Sequence, residues 1–407
     1  TLKPGDKVKI GSVVFHDKYN EAVKFVSPVS GEILDIVRGE KRRILEIIIK
    51  NDGNNDVETH SPADPSRLSG EEVKEVMLAN GLWPFLKQRP LDIMANPEVK
   101  PKAIFISAFD SAPLAPDYDF IIHGQDQYFQ NGLNALCKLT DGKVHLTING
   151  KVPADSAFTN AKNVQINKII GKHPAGNVGT QIHHIDPVNK GEFVFTINPQ
   201  DVVTIGKFFA EGKFDPQRIV AYTGSEAKNR KYYRTIIGAN LSNLLKGNLE
   251  QDNVRVISGN ALSGERVEKD GFLGFYDGHV TVLPEGNQYK FFLTKGWLGP
   301  GFDKFSSHRL FPTFLMPKKK FRLDTNMNGE ERGFVVTGEM DKVMPFEILP
   351  MQLIKAVMTN DIDGMENLGI YEVAPEDFAL CEYVCTSKID IQEKIREGLD
   401  LIQKECM

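Results

Sequence analysis

Two stretches of this chain combine side chains capable of chemistry. The first is Leu82-Trp83-Pro84-Phe85-Leu86-Lys87-Gln88-Arg89-Pro90. Its rings offer flat apolar surface, and Lys87 and Arg89 can only donate hydrogen bonds. That pairing suits an aromatic ligand with oxygens at its edge, such as a quinone headgroup. Trp83, Phe85 and Leu86 would supply apolar contacts, and Lys87 or Arg89 would bond an oxygen. An anchored loop with Trp83 in the core explains the same composition. The second stretch runs from Gly171 to Pro187 and holds His173, His183 and His184 among three glycines and two prolines. Imidazoles there could donate, titrate or ligate. No carboxylate or thiol cluster of metal-ligand spacing accompanies them, so no metal site is expected. His173 and His183 remain candidate ligand contacts, against an ordered hinge or clamp whose rings are satisfied by backbone carbonyls. No set of residues reads as catalytic.

The elements that must position these stretches follow from periodicity and punctuation. Residues 1–57 alternate short β runs with Gly and Pro turns, which predicts a small barrel or sandwich. Ser69-Gly70-Glu71-Glu72 caps a helix through Val73 and Met77 that Gly81 ends, delivering the chain into the Trp83 loop. Over 58–190, strands at 103–107, 119–122 and 144–148 with a helix over 127–139 predict an α/β domain. Neither a Gly-x-Gly-x-x-Gly after a strand nor a Gly-Lys-Ser/Thr phosphate loop occurs in it. Over 191–265, strands at 193–197, 218–222 and 254–257 with a helix over 199–211 predict a compact β-grasp-like module. Residues 266–345 read as β-rich, with strands at 279–283, 291–293 and 334–336 and a Gly- and aromatic-rich loop from Trp297 to Phe314. Residues 346–407 turn helical, ending on Ile391, Ile395, Leu399 and Ile402 at helical spacing. The fold class is α+β and multidomain.

The totals narrow the function. With 407 residues, a net charge of −5 and no basic run beyond Lys318-Lys319-Lys320, nothing recommends a nucleic-acid partner. Four scattered cysteines do not form a secreted disulfide framework, which favours a reducing compartment. No apolar run approaches the roughly 20 residues of a membrane span. The chain begins at Thr1 without a signal peptide, so its natural start is expected to lie upstream.

Gly5-Asp6-Lys7-Val8, Asp17-Lys18 and Ser27-Pro28-Val29-Ser30-Gly31-Glu32-Ile33 resemble biotinyl/lipoyl-type barrel-sandwich domains. In a carrier of that type, an exposed hairpin lysine takes the cofactor as an amide, which singles out Lys18. The segment from Lys18 to Pro28 is long for that role, and a docking module without cofactor is the stronger expectation. A second resemblance spans nearly the whole chain. His173-Pro174-Ala175-Gly176, Gly179-Thr180 and Ile182-His183 are similar to a signature of the A subunit of the sodium-translocating NADH:quinone oxidoreductase. So are Gly81-Leu82-Trp83 with Arg89-Pro90, Arg234 to Ala239, Ile257-Ser258-Gly259, Val343-Met344-Pro345, and Cys381 with Cys385.

That resemblance implies a peripheral subunit on the cytoplasmic face of a bacterial inner-membrane complex that oxidises NADH, reduces ubiquinone and exports sodium ions. Its partners would be the other subunits, above all the membrane quinone/flavin subunit. It implies a Rossmann-like α/β domain akin to the flavoprotein subunit of complex I and the C subunit of the Rnf complex, and an SLBB-like β-grasp module. Those relatives hold flavin on a glycine-rich loop and iron–sulfur clusters on closely spaced cysteines. Here Asn80-Gly81-Leu82-Trp83-Pro84-Phe85 stands at the loop, and only Cys381 and Cys385 at the cluster, where four thiolates are needed. The expectation is a scaffold with no FMN and no iron–sulfur cluster, and with a site for ubiquinone or a quinone-like inhibitor in residues 82–93. Two rivals are a lipoyl carrier using Lys18 and a soluble nucleotide-binding oxidoreductase.

Overall fold

A computed structural model describes residues 2–406 except 289, 297, 307 and 308; Trp297 thus lies outside the described residues. At the amino end, strands Lys7–Val8, Gly31–Arg38 and Ile44–Asn51 form an antiparallel sheet, and Val13–His16 pairs with Lys24–Val26 as a hairpin. Alternation along these strands turns Val8, Val14 and Ile33 inward, where Phe15, Ile47 and Ile49 pack against them.

Ser69 then caps the helix Gly70–Ala79 through a capping box with Glu72, and Val73 and Met77 are fully buried beneath it. A six-stranded sheet follows in the spatial order Gln165–Ile169, Lys143–Asn149, Ala103–Ser107, Val194–Ile197, Lys87–Arg89, Ile93–Met94. The first four are parallel, Lys87–Arg89 runs antiparallel to them, and Ile93–Met94 reverses again against Lys87–Arg89. From Ala103–Ser107 the chain winds outward to Gln165–Ile169, then returns to lay Val194–Ile197 on the opposite flank. The winding direction therefore reverses between Ser107 and Ile197, and a crevice opens beyond their carboxyl ends, the usual ligand position in such sheets.

Val194–Ile197 pairs with Ala103–Ser107, and the helix Pro199–Glu211 packs on Asp126–Leu136, so both belong to this layer rather than to a module beginning at 191. The two helices touch through Gly132 and Gly206. A Cβ on Gly206 would lie 2.7 Å from the Gly132 nitrogen, and one on Gly132 would lie 2.7 Å from Val202 Cγ1. The expected strand at 119–122 is instead the helix Tyr118–Ile122. Asp117 accepts the free amides of Asp119 and Phe120, and this cap outweighs the β preference of Phe-Ile-Ile.

A five-stranded sheet comes next, ordered Lys231–Ile236, Gln217–Thr223, His279–Pro284, Val254–Ser258, Glu265–Val267. His279–Pro284 lies at its centre, parallel to Gln217–Thr223 and antiparallel to Val254–Ser258, so the sheet runs through the expected boundary at 265. Val280 and Val282 are fully buried there, which only a central strand provides. Residues 291–293 and 334–336 form no strand; they have no ladder to join. The helices Pro350–Met358, Ile362–Asn367, Ala379–Val384 and Ile391–Cys406 close the chain around their own core, with Ile391, Ile395, Leu399 and Ile402 fully buried. Among the described residues, no helix is long and apolar enough to cross a membrane.

His279 carries a pH signature. It is 4% exposed, and burial pulls its imidazole down to about 4. The unfolded chain, with an ordinary value of 6.5, binds more protons between those limits. Stability is therefore full above pH 6.5 and falls as pH drops towards 4, by about 3 kcal/mol. Urea midpoints measured across this window are expected to slope steeply in the parent and less in His279→Gln. Equal slopes would contradict the assignment.

Candidate functional site

A cavity of about 200 Å³ fills the crevice at the reversal of the sheet. Ser107 and Ile197 reach it from the strand ends, Asn198 and Asp201 from the start of the helix Pro199–Glu211, and Phe85 and Lys87 from the loop after Gly81. Asn260 and Tyr276 close it from the five-stranded sheet unit, and Glu376 from the carboxyl-terminal helices. It shares walls at Lys87, Asp110, Tyr276 and Glu376 with a polar basin of about 540 Å³, which Asp277, His279 and Arg396 also border.

The loop residues divide into two kinds. Trp83 is 2% exposed; its Nε1–H donates to the Ala95 carbonyl at 2.7 Å and its ring meets Phe195 edge-on at 6.1 Å. Leu86 is fully buried. Arg89 is buried and spans three carboxylates: Nη2 to Glu376 at 2.7 Å, Nη1 to Asp377 at 2.9 Å and Nε to Asp92 at 3.4 Å. These three side chains are enclosed by protein and do not line the cavity. Phe85 does, stacked on Phe275 at 5.2 Å. Lys87 also does, paired with Asp92 at 2.9 Å and lying 5.1 Å from the Tyr276 ring. The loop thus works as a strap. Trp83 and Phe85 sit in the α/β core, Leu91 sits in the carboxyl-terminal core, and Arg89 is clamped between.

Charge sets the character of the cavity. Burial raises the carboxyls of Asp110 and Asp201, the latter against the pull of Arg218 at 2.8 Å. Burial also pushes up the phenols of Tyr118 and Tyr276 and the carboxyl of Glu376, although Arg89 draws Glu376 back. Burial opposes ionisation of Asp92 as well, but Lys87 and Arg89 prevail and hold it at about 2. The lining therefore offers carboxyls and phenols with Lys87 as its one cation among the described lining residues.

The stretch 171–187 is not all loop: Val178–Ile185 is a helix. Its approach is fastened to the sheet by Gln181, whose Nε2 donates to Ser107 Oγ at 2.7 Å, and by Ser107 Oγ–H, which reaches the Gly176 carbonyl at 2.9 Å. A Cβ on Gly179 would lie 2.7 Å from Asp377 Cγ, so only glycine admits that carboxylate to the first turn. His173 lines the cavity beside Ser111, 3.1 Å away, and burial lowers its pKa. His183 points elsewhere. Its Nε2 accepts from the Glu347 amide at 3.1 Å, which leaves the proton on Nδ1 for Glu372 at 2.8 Å, and its ring stacks on Phe346 at 4.8 Å. His184 Nδ1 bonds the Thr180 carbonyl.

Lys18 is exposed on the hairpin tip, its Nζ 5.5 Å from the Tyr19 ring. Cys381 and Cys385 are buried and free, and burial pushes the Cys381 thiol up to about 12. No grouping of three or more metal-ligating side chains occurs among the described residues. Composition did not single out Asp110, Asn198, Asp201, Asn260 or Tyr276. One available signal was Asn198-Pro199-Gln200-Asp201, a helix cap directly after a buried strand, which is where α/β sheets present ligand contacts.

Residues 1–52 match the NqrA N-terminal barrel-sandwich hybrid domain, 68–214 the NqrA second alpha/beta domain, and 219–269 the NQRA C-terminal domain. Over 99% of its length the chain is 38% identical to the Na(+)-translocating NADH-quinone reductase A subunit of Neisseria meningitidis serogroup B, covering 90% of that protein. The same identity and coverages hold for the corresponding protein of Pasteurella multocida. A remote likeness, at 10% identity and a TM-score of 0.42, covers 84% of this chain and 64% of a chain of an NAD+-reducing [NiFe]-hydrogenase. The chain belongs to the NqrA family, the A subunits of the Na(+)-translocating NADH-quinone reductases.

Proposed function

We propose that this chain is the peripheral subunit of a sodium-translocating NADH:quinone reductase and that the cavity at the sheet reversal receives a quinone headgroup. The complex transfers electrons from NADH to ubiquinone and couples this to sodium export across the bacterial inner membrane. The chain serves it as a scaffold on the cytoplasmic face, beside the membrane quinone/flavin subunit. Its α/β layer is read as Rossmann-like, and its five-stranded sheet as the SLBB-like β-grasp.

One observation carries the ligand reading: the lining pairs aromatic surface from Phe85 and Tyr276 with a single ammonium donor, Lys87, among carboxyls. A quinone is an uncharged ring whose oxygens need donors, and Lys87, Asn198, Asn260 and His173 can supply them. A flavin phosphate fits poorly, because Lys87, already paired with Asp92 at 2.9 Å, is the one cation that the described lining offers it. Trp83 also fills the turn where backbone amides would have to approach a phosphate. An iron–sulfur cluster fits no better: beside Cys381 and Cys385 the chain offers only Cys137 in the α/β domain and Cys406 at its end.

Titration of the full chain with short-chain ubiquinone tests this. Lys87→Met is expected to weaken binding roughly tenfold to a hundredfold, the worth of a hydrogen bond from a charged donor. FMN is expected to give no saturable signal. Undiminished quinone binding by Lys87→Met, or tight FMN binding, would overturn the assignment.

A further inference from the structure

Between the strand His279–Pro284 and Thr325 the chain leaves the five-stranded sheet and comes back to it. The Thr325 amide donates to the Pro284 carbonyl at 3.3 Å, the Gly286 amide to Thr325 Oγ1 at 2.9 Å, and Lys290 pairs with Asp324 at 2.8 Å. The described residues of this excursion hold one short helical turn, Pro312–Leu315, and no strand. Irregular connections of such length in compact domains usually carry function.

Its composition is lopsided. Residues 290–322 contain seven of the chain's 25 phenylalanines, and eight cations against one carboxylate, Asp303. Two of these cations pair with carboxylates outside the segment, Lys290 with Asp324 at 2.8 Å and Arg322 with Glu226 at 2.6 Å, which leaves an excess of five positive charges in a chain whose total is −5. The apolar side chains face outward: Leu310 is 71% exposed, Leu315 70%, Phe302 56% and Phe314 51%. No described residue of the segment joins any of the five hydrophobic cores. Cations sit beside rings, Lys304 at 5.2 Å from Phe311 and Arg309 at 6.0 Å from Phe314. So many exposed large apolar side chains in one segment point to a binding face.

We propose that Phe302, Leu310, Phe314 and Leu315, with the lysines beside them, seat on an anionic phospholipid surface. Phe302, Leu310, Phe314 and Leu315 would enter the headgroup boundary while Lys318, Lys319 and Lys320 lie at phosphate level. The balance of side chains favours lipid over a protein partner. Protein interfaces are depleted in lysine and enriched in arginine, whereas six of these eight cations are lysines. Aromatic rings bordered by basic side chains of one sign are the composition of an interfacial membrane contact. The inference rests on the chain being a peripheral subunit of a membrane complex, and it is independent of what the cavity binds.

Flotation of the full chain with vesicles tests it. The chain is expected to float with phosphatidylethanolamine–phosphatidylglycerol vesicles, to stay behind with pure phosphatidylcholine, and to release as salt rises. Each cation near an anionic surface strengthens binding roughly fivefold, so K318E/K319E/K320E, which removes three and adds three repelling carboxylates, should weaken it at least about a hundredfold. Phe302→Ser with Phe314→Ser should weaken it at every salt concentration. All five positions are exposed, and unchanged circular dichroism would confirm that the variants fold. Absence of flotation by the parent, or equal affinity in the charge-reversed variant, overturns the proposal. So does a parent that ignores vesicles while K318E/K319E/K320E fails to co-purify with the membrane subunits, since the face would then be a protein interface. A parent chain that does not co-purify with those subunits would instead refute the subunit reading.

Discussion

Replacing Arg89 with alanine is expected to lower the unfolding free energy by about 3–5 kcal/mol, the usual cost of removing one partner from a buried ion cluster. Arg89 is 2% exposed and is the cation shared by Asp92, Glu376 and Asp377. Without it, Asp377, fully buried, faces Glu376 with no guanidinium between them. The loss should fall on the seam between the α/β layer and the carboxyl-terminal helices, because the cluster joins residues 287 and 288 positions apart. Limited proteolysis is expected to cut the Arg89→Ala chain faster than the parent. Arg89→Lys should recover only part of the stability, since an ammonium cannot reproduce the planar fork. The deficit should also shrink as pH falls, because protonation relieves carboxylates that burial already pushes up. An unchanged denaturation midpoint would refute the clamp.

Trp83→Ala carries the second large effect, about 3–5 kcal/mol for emptying a large core site. The Ala95 carbonyl also loses its donor, which adds to the cost. This outcome separates a core tryptophan from a ligand platform. Trp83→Phe should keep quinone affinity while losing part of the stability, whereas a stacking platform would lose affinity with little change in stability. Parallel titration and urea unfolding of the two variants distinguish them.

The loop Leu82–Pro90 shows how far local sequence reaches. Two aromatics and two cations in one turn single out the segment, and of these Phe85 and Lys87 line the cavity. Composition cannot say which ring faces inward. That was decided by Ala95 accepting the indole N–H and by Phe195 arriving from a strand over a hundred positions later. Glu376 and Asp377, the partners of Arg89, lie farther still along the chain and are invisible to local spacing. Periodicity located the capped helix Gly70–Ala79 and the terminal helix Ile391–Cys406, because each presents one continuous apolar face. It failed at Tyr118–Ile122, where a cap overrode propensity, and at 191, where strand pairing assigned Val194–Ile197 to the earlier sheet. The histidines split likewise. His173 faces the cavity while His183 fastens its helix to Glu347 and Glu372, a difference made by residues from the far end of the chain.

The central claim is that the cavity at the sheet reversal holds a quinone ring. The most direct test is a structure of the full chain soaked with short-chain ubiquinone. The ring is expected between Phe85 and Tyr276 with an oxygen on Lys87 Nζ, and with Trp83 and Arg89 still enclosed by protein. A quinone seated against an opened Trp83, or an empty cavity with quinone bound elsewhere at saturation, would contradict it.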